Sequence, residues 1–262
     1  MNEEKNKKIK LIVNKIPSLT DGQIFWISKV LRVFDCKSKF KIRKSDLFDE
    51  SSLENFGDAL RIHHSFSVEP FSKDKFEYVL EQTLNIKKEI AKLATKGNRG
   101  HDILINGIPV SLKTQADKKI KDDKIWISKF MELGKGNWGD NPDDLIDLRK
   151  MFLAHMNNYE RILSLRALRK APNWKYELVE VPKKLLESAV NGRLEMKLDS
   201  KQFPKPGYCY VRDGKGEEVF RLYFDGGSER KLQIKNLLKK HCVVHATWEF
   251  EIPSWKYFFE RQ

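Results

Sequence analysis

Apolar positions follow a helical period through the first part of this chain and give way to strand-like alternation toward its end. Between residues 20 and 35, Ile24, Ile27, Val30, Leu31 and Phe34 recur at three- and four-residue steps, and Thr20 or Asp21 stands where a cap belongs. That stripe predicts an ordinary packing helix. Residues 36 to 72 are mixed and polar, and they predict loops around a short helix near Leu53 to Leu60. A second helix is predicted from Lys73 to Thr95, where Phe76, Val79, Leu80, Thr83, Leu84 and Ile90 share one side, Ser72 or Asp74 caps the start and Gly97 marks the stop. Directly after it, the run GHDILINGIPVSLKTQ sets two β-rich segments around Asn106-Gly107, the strongest short hairpin signal a sequence offers.

Lys124 to Leu133 is apolar with a weak helical period, and it leads into a loop loosened by Gly134, Gly136 and Gly139. Pro142, with Asp143 and Asp144 in the first turn, opens a further predicted helix that Leu145, Leu148, Phe152, Met156 and Tyr159 carry toward Leu168. Beyond Pro172 the pattern changes to short strands, YELVEV, RLEMKL, YCYVRD, EVFRLYF, KLQIKNL and VVHATWEFEI, separated by turns such as Asp213-Gly214-Lys215-Gly216. The expected class is α/β (α+β mixed), a mixed sheet flanked by helices with a strand-rich C-terminal lobe. The chain divides into an N-terminal helical region (1–72), a core with its following helix (73–170) and the strand-rich lobe (171–262), all in one body.

The hairpin carries the chemistry. With Asn106 and Gly107 as its loop, Ile105 faces Ile108, Leu104 faces Pro109, Ile103 faces Val110, and Asp102 falls opposite Ser111. Opposed residues of an antiparallel pair point the same way and side chains repeat every second residue, so Asp102, Ser111 and Lys113 converge on one face. The other face holds Ile103, Ile105, Ile108, Val110 and Leu112, which belong in a core. Phosphodiester hydrolysis needs such a polar set: carboxylate oxygens for Mg²⁺, the metal to acidify a bound water, and a cation beside the attacking water. Lys113 suits the last role, either as general base or as a protonated charge stabiliser.

Composition agrees with that chemistry. The net charge of +13 favours a polyanionic partner, and nucleic acid is the commonest one. The opening residues lack an apolar signal segment and no stretch is apolar enough to span a membrane, so a cytoplasmic protein without a membrane partner is expected. Cys36, Cys209 and Cys242 are scattered, as reduced thiols are. His241, Cys242 and His245 have no second pair at zinc spacing, and His63-His64 reads as surface. The glycine loop GKGNWG lacks the lysine of a phosphate-binding loop, so no nucleotide cofactor is expected. Near the end, Phe220, Leu222 and Phe224 alternate with Arg221 and Tyr223, and Leu232 and Ile234 with Lys231, Gln233 and Lys235. Those polar side chains are of the kinds that reach base edges and phosphates.

Asp102, then eight residues, then Ser111-Leu112-Lys113, after a helix containing Phe76-Glu77, resembles the PD-(D/E)xK nuclease core of many type II restriction endonucleases. The resemblance covers roughly residues 73 to 130. His101 stands where that family has proline, and Ser111 replaces its second acid, as in the (S/T)xK form whose glutamate is relocated. It implies a restriction-endonuclease-like core, Mg²⁺-dependent cleavage of double-stranded DNA at a specific sequence, and a homodimer. It also points to Glu77 as the second carboxylate, with Glu132 as the alternative; Glu81 and Glu89 are further candidates, and Gln115 shares the face of Lys113. The rival readings are a repair or recombination nuclease of looser specificity and a DNA-binding module without catalysis.

Overall fold

The computed structural model describes residues 2–253 except 96, 99, 118, 119 and 135–137, so Gly136 of the glycine-rich loop lies outside the described residues. The chain begins with α1 (Asn2–Lys15), α2 (Asp21–Phe34), β1 (Ser38–Ile42), α3 (Glu50–Phe66) and α4 (Lys73–Leu84). Next come β2 (Ala91–Leu93), β3 (Ile103–Ile105), β4 (Ile108–Gln115), β5 (Lys124–Glu132), α5 (Asp144–His155), β6 (Arg161–Arg169) and β7 (Asn173–Glu180). The last elements are α6 (Lys183–Glu187), β8 (Arg193–Met196), β9 (Gly207–Arg212), β10 (Glu218–Phe224), β11 (Lys231–Leu238) and β12 (Val243–Glu251). Among the described residues these strands form two sheets, in the orders β1-β12-β7-β6-β4-β3-β2 and β5-β11-β10-β9-β8. The pairing of β4 with β6 is parallel and that of β6 with β7 antiparallel, so the larger sheet is mixed, as the sequence predicts.

Two cores sandwich the larger sheet. On one face Val110, Leu112, Leu163 and Trp248 pack with Phe56 and Leu60 of α3 and with Phe76 and Leu80 of α4. On the other, Ile162 and Val179 join Leu145, Leu148 and Phe152 of α5 and the inner residues of the smaller sheet, among them Phe220, Leu222, Leu232 and Ile234. Removing this much apolar surface from water is the main force holding the layers together. No helix among the described residues is long and apolar enough to cross a membrane.

Several expectations are corrected. Thr20 caps α2 through a capping box with Gln23, yet Ile24, Ile27, Leu31 and Phe34 are exposed by 40% or more. The helix docks by its opposite side, where Val33 is buried and Arg61 of α3 donates to the Val33 and Cys36 carbonyls. The short helix expected near residue 53 is the 17-residue α3, whose buried Leu53, Phe56, Leu60 and His64 keep a helical step through a polar stretch. The helix from Lys73 ends at Leu84 because the Asn85 side chain accepts from the Ile90 and Ala91 amides, each at 2.8 Å, and turns the chain into β2. Lys124 to Glu132 is strand, since Ile125 and Ile127 alternate into the second core and pair with β11. The helix from Pro142 stops at His155, and residues 161 to 169 form a central strand buried at every position from Ile162 to Ala167. A strand covered on both faces loses the alternation that would reveal it. Ile108 is exposed at the hairpin tip.

His64 is not at the surface. It is 5% exposed, stacks on Trp174 at 3.5 Å, and its ring nitrogens lie 3.0 Å from the Ser67 carbonyl and 2.8 Å from the Tyr176 hydroxyl. Burial pushes its pKa down to about 3. Below the ordinary value near 6.5 the unfolded chain takes up a proton that the folded chain refuses, so His64 costs stability as pH falls from there toward 3. Urea unfolding at pH 7 and pH 5 is therefore expected to show a steeper loss for the parent than for His64→Phe. Equal losses would remove His64 as a source of acid sensitivity.

Candidate active site

The hairpin is built as its sequence dictates. Asn106 (φ 52°) and Gly107 (φ 77°) make the two-residue turn, and the register is Ile105 with Ile108, Leu104 with Pro109 and Ile103 with Val110. Asp102 sits just before β3, where its amide donates to the Val110 carbonyl at 3.0 Å. Its carboxylate accepts from the Leu112 amide at 2.5 Å and from the Ser111 hydroxyl at 3.3 Å. Those bonds pin the carboxylate against β4. Lys113 extends from the same strand, with its Nζ 5.4 Å from the Phe130 ring centre.

The first turns of α4 complete the group. Lys73 Nζ lies 2.7 Å from Asp102 Oδ1 and 3.1 Å from Glu77 Oε1, so both carboxylates converge on one ammonium. Phe76 and Leu80 bury the other side of this helix, which fixes where Lys73 and Glu77 stand. The structure thus brings together Asp102, Ser111, Lys113 and Glu77, and adds Lys73.

Electrostatics follow from burial and these charges. Burial alone would raise the Asp102 pKa, yet the Lys113 charge, the Lys73 hydrogen bond and the Leu112 amide hold it below the carboxylate range. Burial pushes Lys113 down to about 8, against the pull of Asp102. For Lys73, burial also works against the charge, and Asp102 and Glu77 outweigh it to raise its pKa. His155 is lowered by burial and then by the Lys113 charge. Nearby, Tyr159 and Ser164 are fully buried, and neither hydroxyl has a hydrogen-bond partner among the described residues. Ser164 is the register partner of Lys113 across β4 and β6.

Other predicted site residues lie in different surroundings. Glu132 ends β5 and is paired with Lys129 at 2.8 Å. The Glu81 carboxylate accepts from the Leu93 amide at 2.7 Å, and Glu89 is exposed. Gln115 is buried, and its carbonyl oxygen accepts from Arg166 Nε at 2.9 Å and from the Trp126 amide at 3.4 Å. Arg166 is itself buried and ion-paired with Glu177. On the outer face of the smaller sheet, Arg221, Tyr223 and Lys235 stand beside Tyr208 and Tyr210, with Lys235 Nζ 3.8 Å from the Tyr223 ring centre and Tyr208 4.9 Å from Tyr223. Gln233 is buried instead; it accepts from Trp126 Nε1 at 3.2 Å and donates to Asp225 at 3.1 Å. Lys231 is paired with Glu229 at 2.9 Å.

A second acidic cluster needs no metal to balance it. Ligand atoms of Asp46, Glu180 and His245 lie within 4.8 Å of one another, but the Arg161 guanidinium pairs with Asp46 at 2.8 Å and with Glu180 at 2.5 Å. An arginine so placed neutralises both carboxylates.

Sequence reasoning missed Lys73, Phe130, His155 and Tyr159. Lys73 was findable, because it lies one helical turn before Glu77 and must share its face. The others were hidden by the misread segments on either side of the glycine-rich loop.

A model of the SmaI family, described as type II site-specific deoxyribonuclease, matches residues 12–250. The type II restriction enzyme SmaI of Serratia marcescens is 44% identical over 237 residues, which span 90% of this chain and 94% of that enzyme. No solved structure matches the chain. On a mixed α+β frame with a convergent acidic and basic centre, a family match across nearly the whole chain leaves one conclusion: this protein belongs to the SmaI family of type II site-specific deoxyribonucleases, and it is a restriction endonuclease.

Proposed function

We propose that this endonuclease hydrolyses double-stranded DNA at a centre formed by Asp102, Glu77, Ser111 and Lys113, a PD-(D/E)xK arrangement with SxK in place of its second acid, and that it requires Mg²⁺. One observation carries the reading: two carboxylates of separate elements, Asp102 and Glu77, meet at one positive charge beside a lysine held near pKa 8. The donor set fits a hard divalent cation, because Asp102 and Glu77 offer carboxylate oxygens with the Ser111 hydroxyl alongside. Asp102 and Glu77 would hold the ion, which when bound supplies Lewis-acid charge and a more acidic water.

The residues themselves supply the rest. Ser111 and the Leu112 amide fix the rotamer of Asp102 without competing for the ion. Lys113, with its pKa pushed down to about 8, can hold or give up its proton: the ammonium offsets charge gathering on the phosphate, and the amine takes a proton from the attacking water. The Phe130 ring lies 5.4 Å from its ammonium and faces it as a cation–π partner. The outer face of the smaller sheet, with Arg221, Tyr223, Lys231 and Lys235 in a lobe spanning much of 171–262, is the surface offered to DNA; Gln233 and Gln115 support it from below. The chain acts as a homodimer, two copies matching a two-fold symmetric site. Regions 1–72 and 73–170 supply the helical layer and the cleaving core of each copy.

The choice of acid tests the centre. Glu77→Ala is expected to depress cleavage far more than Glu132→Ala, since Glu132 is paired at the end of β5. Single-turnover rates on one target duplex compare them, and the reverse ranking would move the metal toward Glu132.

A further inference from the structure

Two carboxylates brought to one point repel each other unless a positive charge stands between them. In this protein that charge is Lys73, within 2.7 Å of Asp102 and 3.1 Å of Glu77. Its position is unlike that of Asp102. The aspartate is pinned by Ser111 and by the backbone of β4, whereas the Lys73 side chain arrives on a flexible four-carbon stem, stays 41% exposed, and has an open way to solvent. Lys73 lies at the first position of α4, so withdrawing its ammonium disturbs no packed side chain; the helix is anchored further on by Phe76 and Leu80.

We propose that Lys73 is an exchangeable counter-ion of the cleavage centre: its ammonium holds Asp102 and Glu77 together before a divalent cation binds, and the arriving cation expels it. This rests on the reading of Asp102 and Glu77 as cation ligands. Every binding event then has to break two charge-assisted hydrogen bonds, so the affinity of the DNA-free protein is set well below what the two carboxylates would give alone. The expelled ammonium stays tethered at the rim of the centre, where a phosphate is its natural partner. Lys113 differs in both respects, being more deeply set and, among the described residues, forming no ion pair with Glu77.

The experiment is a calorimetric titration of the full-length, DNA-free protein with Ca²⁺, comparing the parent with Lys73→Met, Lys73→Gln and Asp102→Asn. Both Lys73 variants are expected to bind Ca²⁺ roughly 10- to 100-fold more tightly, the amount by which losing a charged hydrogen bond shifts an equilibrium. In chelator their melting temperatures are expected to fall below that of the parent, and saturating Ca²⁺ is expected to restore them. Asp102→Asn is expected to lose Ca²⁺ affinity. If Asp102→Asn loses affinity while both Lys73 variants bind no more tightly than the parent, the counter-ion role is overturned and the cation site stands. If the parent and Asp102→Asn bind Ca²⁺ equally, the cation-site reading itself fails.

Discussion

Lys113→Ala is expected to slow cleavage by roughly 10²- to 10⁴-fold, the range over which a positioned proton-transfer or charge-stabilising group acts. Binding of target DNA in Ca²⁺ is expected to change by no more than a few-fold. The contrast follows from where the lysine lies. Its ammonium lies 5.4 Å from the Phe130 ring centre and burial pushes its pKa down to about 8, so it is not one of the solvated cations that face phosphates in bulk. A surface lysine would change neither quantity strongly, because phosphate contacts are numerous and individually modest. Measuring both on one duplex decides the matter, and a variant cutting near the parental rate would end the assignment of Lys113 to the chemistry.

Asp102→Asn is expected to reduce cleavage roughly a thousandfold or more while leaving the fold and DNA binding nearly intact. The amide oxygen of asparagine can still accept from the Leu112 amide and the Ser111 hydroxyl, so the end of the hairpin keeps its hydrogen bonds. What is lost is the negative charge that balances Lys73 and Lys113 and that would hold the ion. A metal's charge stabilisation amounts to several kcal/mol, and about 1.4 kcal/mol is tenfold in rate. Circular dichroism and gel shift in Ca²⁺, followed by cleavage assays in Mg²⁺, separate these effects. Near-parental cutting by this variant would remove the centre proposed here.

How much of this was legible in the sequence depended on how local the signal was. The hairpin was fully readable, because Asn106-Gly107 fixes the turn and the turn fixes the register, and from that register the convergence of Asp102, Ser111 and Lys113 follows. The six C-terminal strands were readable from alternation and turn residues, and β10 matches its expected limits. Non-local pairing hid the rest. β5 is a strand because β11 lies beside it, and β6 because both its faces are covered; neither fact is written in its own residues. The apolar stripe of α2 misled for the converse reason, since periodicity shows that a helix is amphipathic and is silent about which neighbour arrives. Of the site, the charged residues could be found by face and spacing, whereas Phe130 and Tyr159 enter only through tertiary packing.

The buried amides between the sheets have a mechanical meaning. Gln115, two residues beyond Lys113 on the same strand, accepts from the Trp126 amide, and the Trp126 indole donates to Gln233 of the other sheet. Arg166, fully buried, clamps Gln115 from β6 and bonds the Lys121 and Lys124 carbonyls. The smaller sheet cannot tilt without dragging β4 or breaking these hydrogen bonds, so on the proposed reading a base pair that seats badly on the sheet is felt at β4. On that reading, discrimination and speed are one setting of a single gear.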